Sequence, residues 1–308
     1  MKLEASLSPS EVLAQVVGAL PSDVRGIVII IGSLAAGYHF FAGDGARAIR
    51  TKDVDCLFSP HSKAIAAATE VTDQLIKADW RLREDPAWGQ PGKEGDPEEK
   101  LPMVRLRPPG ETASPWFLEL LSAPPAFEPG APGKKLRRVE TSVGHFAICS
   151  FDFLALAEWQ PLETAHGVRI ARPEMMALAS LPHHPEIADT LIAGTDYKRS
   201  NKDLGRVLAL AFLTVRRDRR DGAEELDAWP GRMWSALKDK FNDQAPRLAT
   251  QARTGLRALL TSPADLDQAL RIANLGLLAS LDVSMEAFRA TGARVLVEVV
   301  EELEALAQ

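Results

Sequence analysis

The run of residues 26–31, Gly-Ile-Val-Ile-Ile-Ile, constrains the fold more than any other feature of the 308-residue chain. Its β-branched residues stand at consecutive positions, without the polar alternation of a strand that faces water, so they predict a strand buried on both faces. Residues 53–58, Asp-Val-Asp-Cys-Leu-Phe, alternate and predict a second strand. Helical spacing predicts helices over 9–20, 34–41 and 59–78. Strands that alternate with helices in this way are typical of an α/β fold.

The character of the chain changes after Pro173. Beyond it the strand patterns end, and helical spacing continues nearly to the last residue, most clearly over 284–306. At about 150 residues per domain, the length also favours two domains. We therefore predict an α/β domain over 1–172 and an α-helical domain over 173–308. Further strands of the first domain are predicted over 102–107, 116–121, 144–149 and 166–171.

Several segments carry loop or surface signals instead. Residues 84–100 are rich in Pro, Gly and charged residues, and His183-His184 lies between two prolines, so both predict loops. The basic run from Lys134 to Arg138 follows a stretch rich in Pro and Gly. We interpret this run as exposed surface, with contact to the backbone of an RNA acceptor as the alternative.

The charge balance limits the partners of the whole molecule. Lys and Arg number 36 against 42 Asp and Glu, so the formal net charge is −6 and bulk electrostatics do not favour nucleic acid. Apolar runs such as Ile27 to Ile31 are too short to span a bilayer, and the N-terminus lacks the pattern of a signal peptide. Cys56 and Cys149 stand singly in apolar segments, which favours buried, reduced thiols. We therefore expect a cytoplasmic protein with no membrane partner.

Three acidic residues stand in predicted strands. Asp53 and Asp55 are two positions apart and share one face of their strand, where two carboxylates repel each other unless a cation joins them. Mg²⁺ (or Mn²⁺) suits such a position because it prefers carboxylate, phosphate and water oxygens. An exposed polar face or the entry to a turn is the alternative for this pair. Glu119 is the single polar residue of an apolar strand, so it needs a partner, either the same ion or an arginine such as Arg105 or Arg107.

Gly32 and Ser33 follow the buried run and precede a predicted helix. Backbone N–H groups at a helix N-terminus, together with the Ser33 hydroxyl, suit a phosphate group. The order of strand, Gly-Ser, helix, Asp-x-Asp strand and later Glu strand resembles the nucleotidyltransferase superfamily related to DNA polymerase β. Within that superfamily, the segment Arg50-Thr51-Lys52-Asp53-Val54-Asp55 is most similar to AbiEii-type enzymes, which include toxins of toxin–antitoxin and phage-defence systems.

The resemblance implies a fold, a site and a reaction. The fold is a nucleotidyltransferase-type mixed sheet with flanking helices, so the first domain is the catalytic one. In the site, Gly32 and Ser33 bind the triphosphate, Asp53 and Asp55 ligate two Mg²⁺ ions, and Glu119 ligates the ion nearest the attacking hydroxyl. The reaction moves an NMP from an NTP to an acceptor hydroxyl, at an RNA 3′ end such as that of tRNA or on a protein side chain. A toxin of this kind would have an antitoxin as partner.

The helical domain carries weaker parts of the resemblance. Residues 172–174, Arg-Pro-Glu, begin a predicted helix as in the family, and Lys202-Asp203 is similar to a second family element. Lys198, Lys202 and Asp203 are therefore expected to contribute to nucleotide binding, with a solvated helix start as the alternative for the basic residues. Lys198 would act as a mobile point charge on the triphosphate, and Asp203 would orient the basic side chains.

This chain also departs from the family pattern. The lysine usual near Ser180 is absent, and Arg206 stands where a second Asp is usual. These departures leave two alternatives open. One is a catalytically degenerate member that binds a nucleotide or a partner without turnover, and the other is a nucleotidyltransferase that modifies a small molecule such as an antibiotic.

Overall fold

The computed structural model of the protein describes residues 6–44, 47–82, 90–110, 116–128, 134–181, 190–192 and 194–308. The chain divides into two compact units. The first comprises Met1–Gly45 and Arg50–Ala171, and the second comprises Ala46–Ile49 and Arg172–Gln308. The main division thus falls between Ala171 and Arg172. His183-His184 and residues 84–89 of the predicted loop lie outside the described residues.

The first unit combines helices with strands. Its helices are α1 Pro9–Ala19, α2 Gly32–Phe41 and α3 His61–Lys77. The strands, with β3 at the division between the units, are β1 Ser6–Leu7, β2 Val28–Ile31, β3 Ile49–Arg50, β4 Asp53–Phe58, β5 Arg81–Leu82, β6 Arg105–Arg107, β7 Phe117–Ser122, β8 Lys134–Thr141, β9 Gly144–Phe151, β10 Leu162–Glu163 and β11 Arg169–Ile170.

A mixed sheet is the centre of this unit. Within the described residues it has nine strands, in the order β10-β11-β2-β4-β7-β6-β5, and β9 pairs with both β7 and β8. Strand β4 lies between β2, to which it is antiparallel, and β7, to which it is parallel. Val28, Ile29 and Ile30 of β2 are fully buried, which confirms the strand that their β-branched run predicts. The predicted α/β class is likewise confirmed.

The strand β8 was not predicted, although Lys134 and Arg137 are exposed, as expected for this run. The residues of β8 pair antiparallel with β9 along eight positions, from Lys134 opposite Phe151 to Thr141 opposite Gly144. Backbone hydrogen bonds to β9 therefore override the charged composition. The guanidinium of Arg138 also donates to the carbonyl oxygens of Lys93 and Asp96, so part of the predicted loop lies on this strand.

Helices make up the described elements of the second unit. They are α4 Pro173–Ala179, α5 Arg199–Asp221, α6 Trp229–Phe241, α7 Ala245–Leu260, α8 Pro263–Leu275, α9 Met285–Arg294 and α10 Glu302–Leu306. A π-helical segment, Val295–Glu301, joins α9 to α10, so the last predicted helix is continuous. Trp229, Phe241 and Phe288 are among the largest side chains buried in this unit. Among the described residues, no helix combines the length and apolar character that crossing a membrane requires.

Candidate functional site

The junction between β2 and α2 requires glycine for two separate reasons. Gly32 has a φ of 72°, in the left-handed region that side chains with a Cβ rarely adopt. A Cβ on Gly32 would also lie 2.8 Å from Oδ2 of Asp55, closer than such atoms approach. The Asp55 carboxylate therefore sits against the backbone at the start of α2. Ile31, the N-cap residue, brings no polar side-chain atom to this helix end.

Four residues form a row across neighbouring strands at this end of the sheet. Ile31 of β2 aligns with Asp55 of β4, Asp55 aligns with Glu119 of β7, and Glu119 aligns with Arg105 of β6. Residues in register on adjacent strands point to the same face, and the strands are about 4.8 Å apart. Asp55 and Glu119 are therefore like charges side by side, an arrangement that costs stability unless a cation offsets it.

Arg105 supplies such a cation to Glu119. Its Nε donates to Oε2 and its Nη2 to Oε1, both at 3.1 Å, so the guanidinium grips both oxygens of the carboxylate. The Glu119 side chain is only 14% exposed and that of Arg105 28%. The guanidinium carbon also lies 5.8 Å from the ring centroid of Phe117, within cation–π range. Of the partners that the sequence leaves open for Glu119, the structure shows Arg105.

Asp53 is oriented by a residue to which sequence reasoning assigned no role. The hydroxyl of Thr51 donates to Oδ1 of Asp53 at 2.9 Å. Thr51 is 4% exposed, so this donor is shielded from competing water. The signal that could have revealed it is a hydroxyl residue two positions before an Asp, a spacing at which side chains commonly form local hydrogen bonds. Asp53 itself aligns with Phe117 across the parallel pair β4–β7.

These carboxylates fit a divalent cation in part. Asp53 and Asp55 share a face of β4, with their Cα atoms about 6–7 Å apart along the strand. Mg²⁺ commonly uses one or two protein carboxylates and completes its shell with water and phosphate oxygens, so this pair suits it. In the part of the chain that the structure describes, three or more Asp, Glu, His or Cys side chains do not gather into a metal-binding group. Glu119 would join as a third ligand only by giving up part of its pairing with Arg105.

Cys56 follows Asp55 on β4 and points to the opposite face, and it is not a candidate nucleophile. It is fully buried, as its apolar segment predicts, and both Cys56 and Cys149 carry reduced thiols. Burial, and to a smaller extent the charge of Asp55, raises the pKa of the Cys56 thiol well above its ordinary value. A thiol in this state is protonated and unreactive.

The basic residues predicted to bind the nucleotide belong to the second unit. Lys198 precedes α5, and its Nζ donates to Oδ1 of Asp265 at 3.1 Å. Lys202 is exposed on the first turn of α5. Asp203 is largely buried, and its Oδ1 lies 3.8 Å from Nη1 of Arg206. Asp265 therefore orients Lys198, and the role predicted for Asp203 stays a prediction.

Asp265 is well placed to hold this lysine. Burial alone would raise its pKa, but hydrogen bonds from Asn201, Ser262 and Lys198, with the charge of Lys198, lower the pKa below its ordinary value. The carboxylate is therefore charged at neutral pH and fixes the ammonium group. Asn201, which is almost fully buried, also donates to Oε1 of Gln268 at 2.7 Å and ties α5 to α8.

Glu174, from the Arg-Pro-Glu motif at 172–174, forms ion pairs inside the second unit. Its side chain is almost fully buried, and Oε1 lies 3.5 Å from Nη1 of Arg172 and 3.2 Å from Nη1 of Arg232. Arg232 also bonds Glu225 at 2.7 Å. Two arginines thus neutralise one buried carboxylate, which links α4 to α6 within the second unit.

The candidate site is therefore the acidic row of the first unit, with Gly32 and Ser33 at its edge. Comparison of the chain with protein-family models, with curated proteins and with solved structures finds no match. The chemistry of this site lies in Asp53, Asp55 and Glu119 and in the helix end beside them.

Proposed function

We propose that the chain is a metal-dependent nucleotidyltransferase, which moves an NMP from an NTP to an acceptor hydroxyl. One observation carries the proposal: the Asp55 carboxylate lies against the backbone of Gly32, at the start of α2, with Asp53 on the same strand face. This arrangement sets cation ligands beside a helix N-terminus. Such a helix end favours phosphate, and the cation favours both carboxylate and phosphate oxygens.

Each residue of the site has a distinct task in this proposal. The N–H groups of the first turn of α2 and the Ser33 hydroxyl bind the phosphates that leave. Asp53, held by Thr51, and Asp55 bind Mg²⁺ or Mn²⁺, with Glu119 as the third ligand. When bound, the metal neutralises negative charge that develops on the phosphate oxygens.

The chemical step is an in-line displacement. The acceptor oxygen forms a bond to the α-phosphorus, and the bond from that phosphorus to the oxygen bridging the β-phosphorus breaks. Pyrophosphate leaves with the electron pair of that bond, and the acceptor proton passes to water. Positioning and charge neutralisation supply most of the catalysis in such reactions, so the fixed orientation of Asp53 and Asp55 is the main contribution of the chain.

The sheet adds support from topology. The succession of β2, α2, β4, α3 and β7, with β4 antiparallel to β2 and parallel to β7, keeps the order of elements on which the resemblance to the DNA polymerase β-like superfamily rests. The proposal extends to the AbiEii-type enzymes, with an RNA 3′ end or a protein side chain as acceptor and an antitoxin as partner in the cytoplasm. Lys198, Lys202 and Asp203 belong to the second unit, and their contribution to nucleotide binding stays a prediction.

A second candidate function is favoured by the Arg105–Glu119 pair. If Glu119 never leaves Arg105, the chain lacks its third metal ligand and binds nucleotide without turnover. The pairing of Lys198 with Asp265 also favours this second candidate, because it engages an ammonium group that was expected to bind the triphosphate. This candidate predicts Mg²⁺-dependent NTP binding with no labelled product after long incubation.

The test is incubation of the protein with each labelled NTP, Mg²⁺, total tRNA and cell lysate. We expect labelled product with the wild type and loss of about three orders of magnitude or more with Asp53→Asn or Asp55→Asn, because each removes a metal ligand. Asp79→Asn is a matched control, since Asp79 is an exposed carboxylate of the same unit and Asn tolerates its positive φ. Equal labelling by all four proteins would refute the proposed site.

A further inference from the structure

The carboxylate of Glu119 is already occupied in the structure. Both of its oxygens accept hydrogen bonds from Arg105, at 3.1 Å each, in the fork geometry that is the strongest form of this pairing. Glu119 is also aligned with Asp55, which in turn lies against Gly32. A positive charge therefore stands in the acidic row, two strands away from the pair Asp53 and Asp55.

We infer that Arg105 is a positioning residue that acts as an internal counter-ion, holding Glu119 until a divalent cation takes its place. The inference rests on the proposed function, because it concerns a metal ion bound by the same acidic row. It adds a regulatory step: the third ligand becomes available only when the guanidinium withdraws. Binding of metal and release of Arg105 are then two sides of one exchange.

Electrostatics explain why the two cations compete. Without a cation, Asp55 and Glu119 would be adjacent like charges on neighbouring strands, and Arg105 relieves that repulsion. A divalent ion at Glu119 would lie beside the guanidinium and be repelled by it. The partial burial of both partners weakens solvent screening, which strengthens the pairing and the competition alike.

The structure also offers Arg105 a resting place. Its guanidinium carbon is 5.8 Å from the ring centroid of Phe117, two positions before Glu119 on β7 and on the same strand face. Arg105 can keep its cation–π contact with Phe117 after its hydrogen bonds to Glu119 break. The Arg105 side chain can therefore shift along the strand toward Phe117. Phe117 aligns with Asp53, so the arginine would remain near the site after the exchange.

The test measures Mn²⁺ binding to the full-length, metal-free protein, by electron paramagnetic resonance of free Mn²⁺ and by calorimetry. Arg105→Lys is the main variant, because it keeps the positive charge but cannot make two parallel hydrogen bonds. Arg105→Gln removes the charge as well. Arg107→Gln is the matched control: it removes an arginine from the same face of β6, two positions from the partner of Glu119, where the aligned residue of β5 is Arg81.

We expect Arg105→Gln to bind Mn²⁺ roughly tenfold more tightly than the wild type, and Arg105→Lys to lie between them, since a fork of charge-assisted bonds is lost. Arg107→Gln should change the affinity by less than about twofold, because Arg107 lies two positions beyond the partner of Glu119 on β6, and a partly exposed charge at that distance is largely screened. Equal effects of Arg105→Gln and Arg107→Gln, or no tightening in either Arg105 variant, would overturn the inference.

A double-mutant cycle tests the route through Glu119. In a Glu119→Gln background, Arg105→Gln should no longer tighten Mn²⁺ binding, because the competed carboxylate is gone. Tightening that persists there contradicts the inference. If Asp53→Asn abolishes Mn²⁺ binding while the Arg105 variants leave it unchanged, the metal site stands and the counter-ion role alone fails. If neither the wild type nor Arg105→Gln binds Mn²⁺, the proposed function and the inference both fail.

Discussion

The Asp55 carboxylate and the Cα of Gly32 are so close that a methyl group on Gly32 would meet Oδ2 at 2.8 Å. The contact joins the start of α2 to the neighbouring strand β4, where Ile31 and Asp55 are in register. It brings an acidic group to a helix N-terminus, which is the favourable end for negative charge. Two features therefore fix the position of the Asp55 carboxylate: the register of β4 on β2, and the absence of a side chain at Gly32.

We expect Gly32→Ala to lower the free energy of unfolding by about 1–3 kcal/mol, through backbone strain at positive φ and displacement of Asp55. It should also abolish Mn²⁺ binding and transfer activity. Urea denaturation followed by circular dichroism measures the stability. Gly18→Ala is the control, since Gly18 lies in α1 with open space around it, and Ala there should stabilise by about 0.5–1 kcal/mol. Equal stability of the two variants would contradict this account.

Thr51→Val should weaken the site while preserving its shape. The substitution keeps the volume of Thr51 but removes the hydroxyl that donates to Oδ1 of Asp53, at a cost of about 1–2 kcal/mol in stability. Mn²⁺ affinity and transfer rate should both fall, because Asp53 can then rotate away. Thr51→Ser restores the donor and should recover most of the affinity. A Thr51→Val protein that binds Mn²⁺ as tightly as the wild type would show that Asp53 needs no such support.

Cys56 should resist thiol reagents in the folded protein. Its raised pKa means that the thiol stays protonated to higher pH than an ordinary cysteine, and burial blocks access. A Cys149→Ala protein isolates the signal of Cys56. At about pH 8, near the ordinary pKa of a cysteine, its reaction with Ellman's reagent should follow the urea unfolding transition. Rapid labelling in the absence of urea would show that β4 opens locally.

The Lys198–Asp265 pair should stabilise the second unit in a pH-dependent manner. The pKa of Asp265 is lower in the folded state, so its stabilising effect is present above the ordinary value of about 3.9 and is lost as pH falls below it. Asp265→Asn should therefore be less stable than the wild type near neutral pH. That difference should shrink when pH is lowered toward about 3, measured by denaturant titration at each pH. A difference independent of pH would show that the charge of Asp265 is not responsible.

Local patterns predicted much of the first unit. The consecutive β-branched residues from Ile27 to Ile31 predict β2, and the alternation of polar and apolar residues predicts β4. Both patterns arise because a strand buried on one or both faces needs apolar residues at defined positions. The face shared by Asp53 and Asp55 follows from the two-residue period of a strand. The change to helical spacing after Pro173 agrees with the division between the units.

Other features depend on pairings between distant segments. The choice of Arg105 over Arg107 for Glu119 follows from the register of β6 on β7, which composition does not reveal. Strand β8 forms because β9 supplies its hydrogen-bond partners, despite a charged sequence. The closeness of Gly32 to Asp55 and the pairing of Lys198 with Asp265 likewise arise from contacts between separate elements.

The parallel alignment of β4 with β7 determines both the geometry of the acidic site and the burial of the leucines on β7. Residues of β7 alternate between faces, so a slip of one position would bring Leu118 or Leu120 beside Asp55 and turn Glu119 to the opposite side. The same slip would carry those leucines out of the interior, where both are now buried. A shift that displaces Glu119 from the site thus also destabilises the fold, because it exposes buried leucines. The hydrophobic core therefore selects the strand register that aligns Glu119 with Asp55.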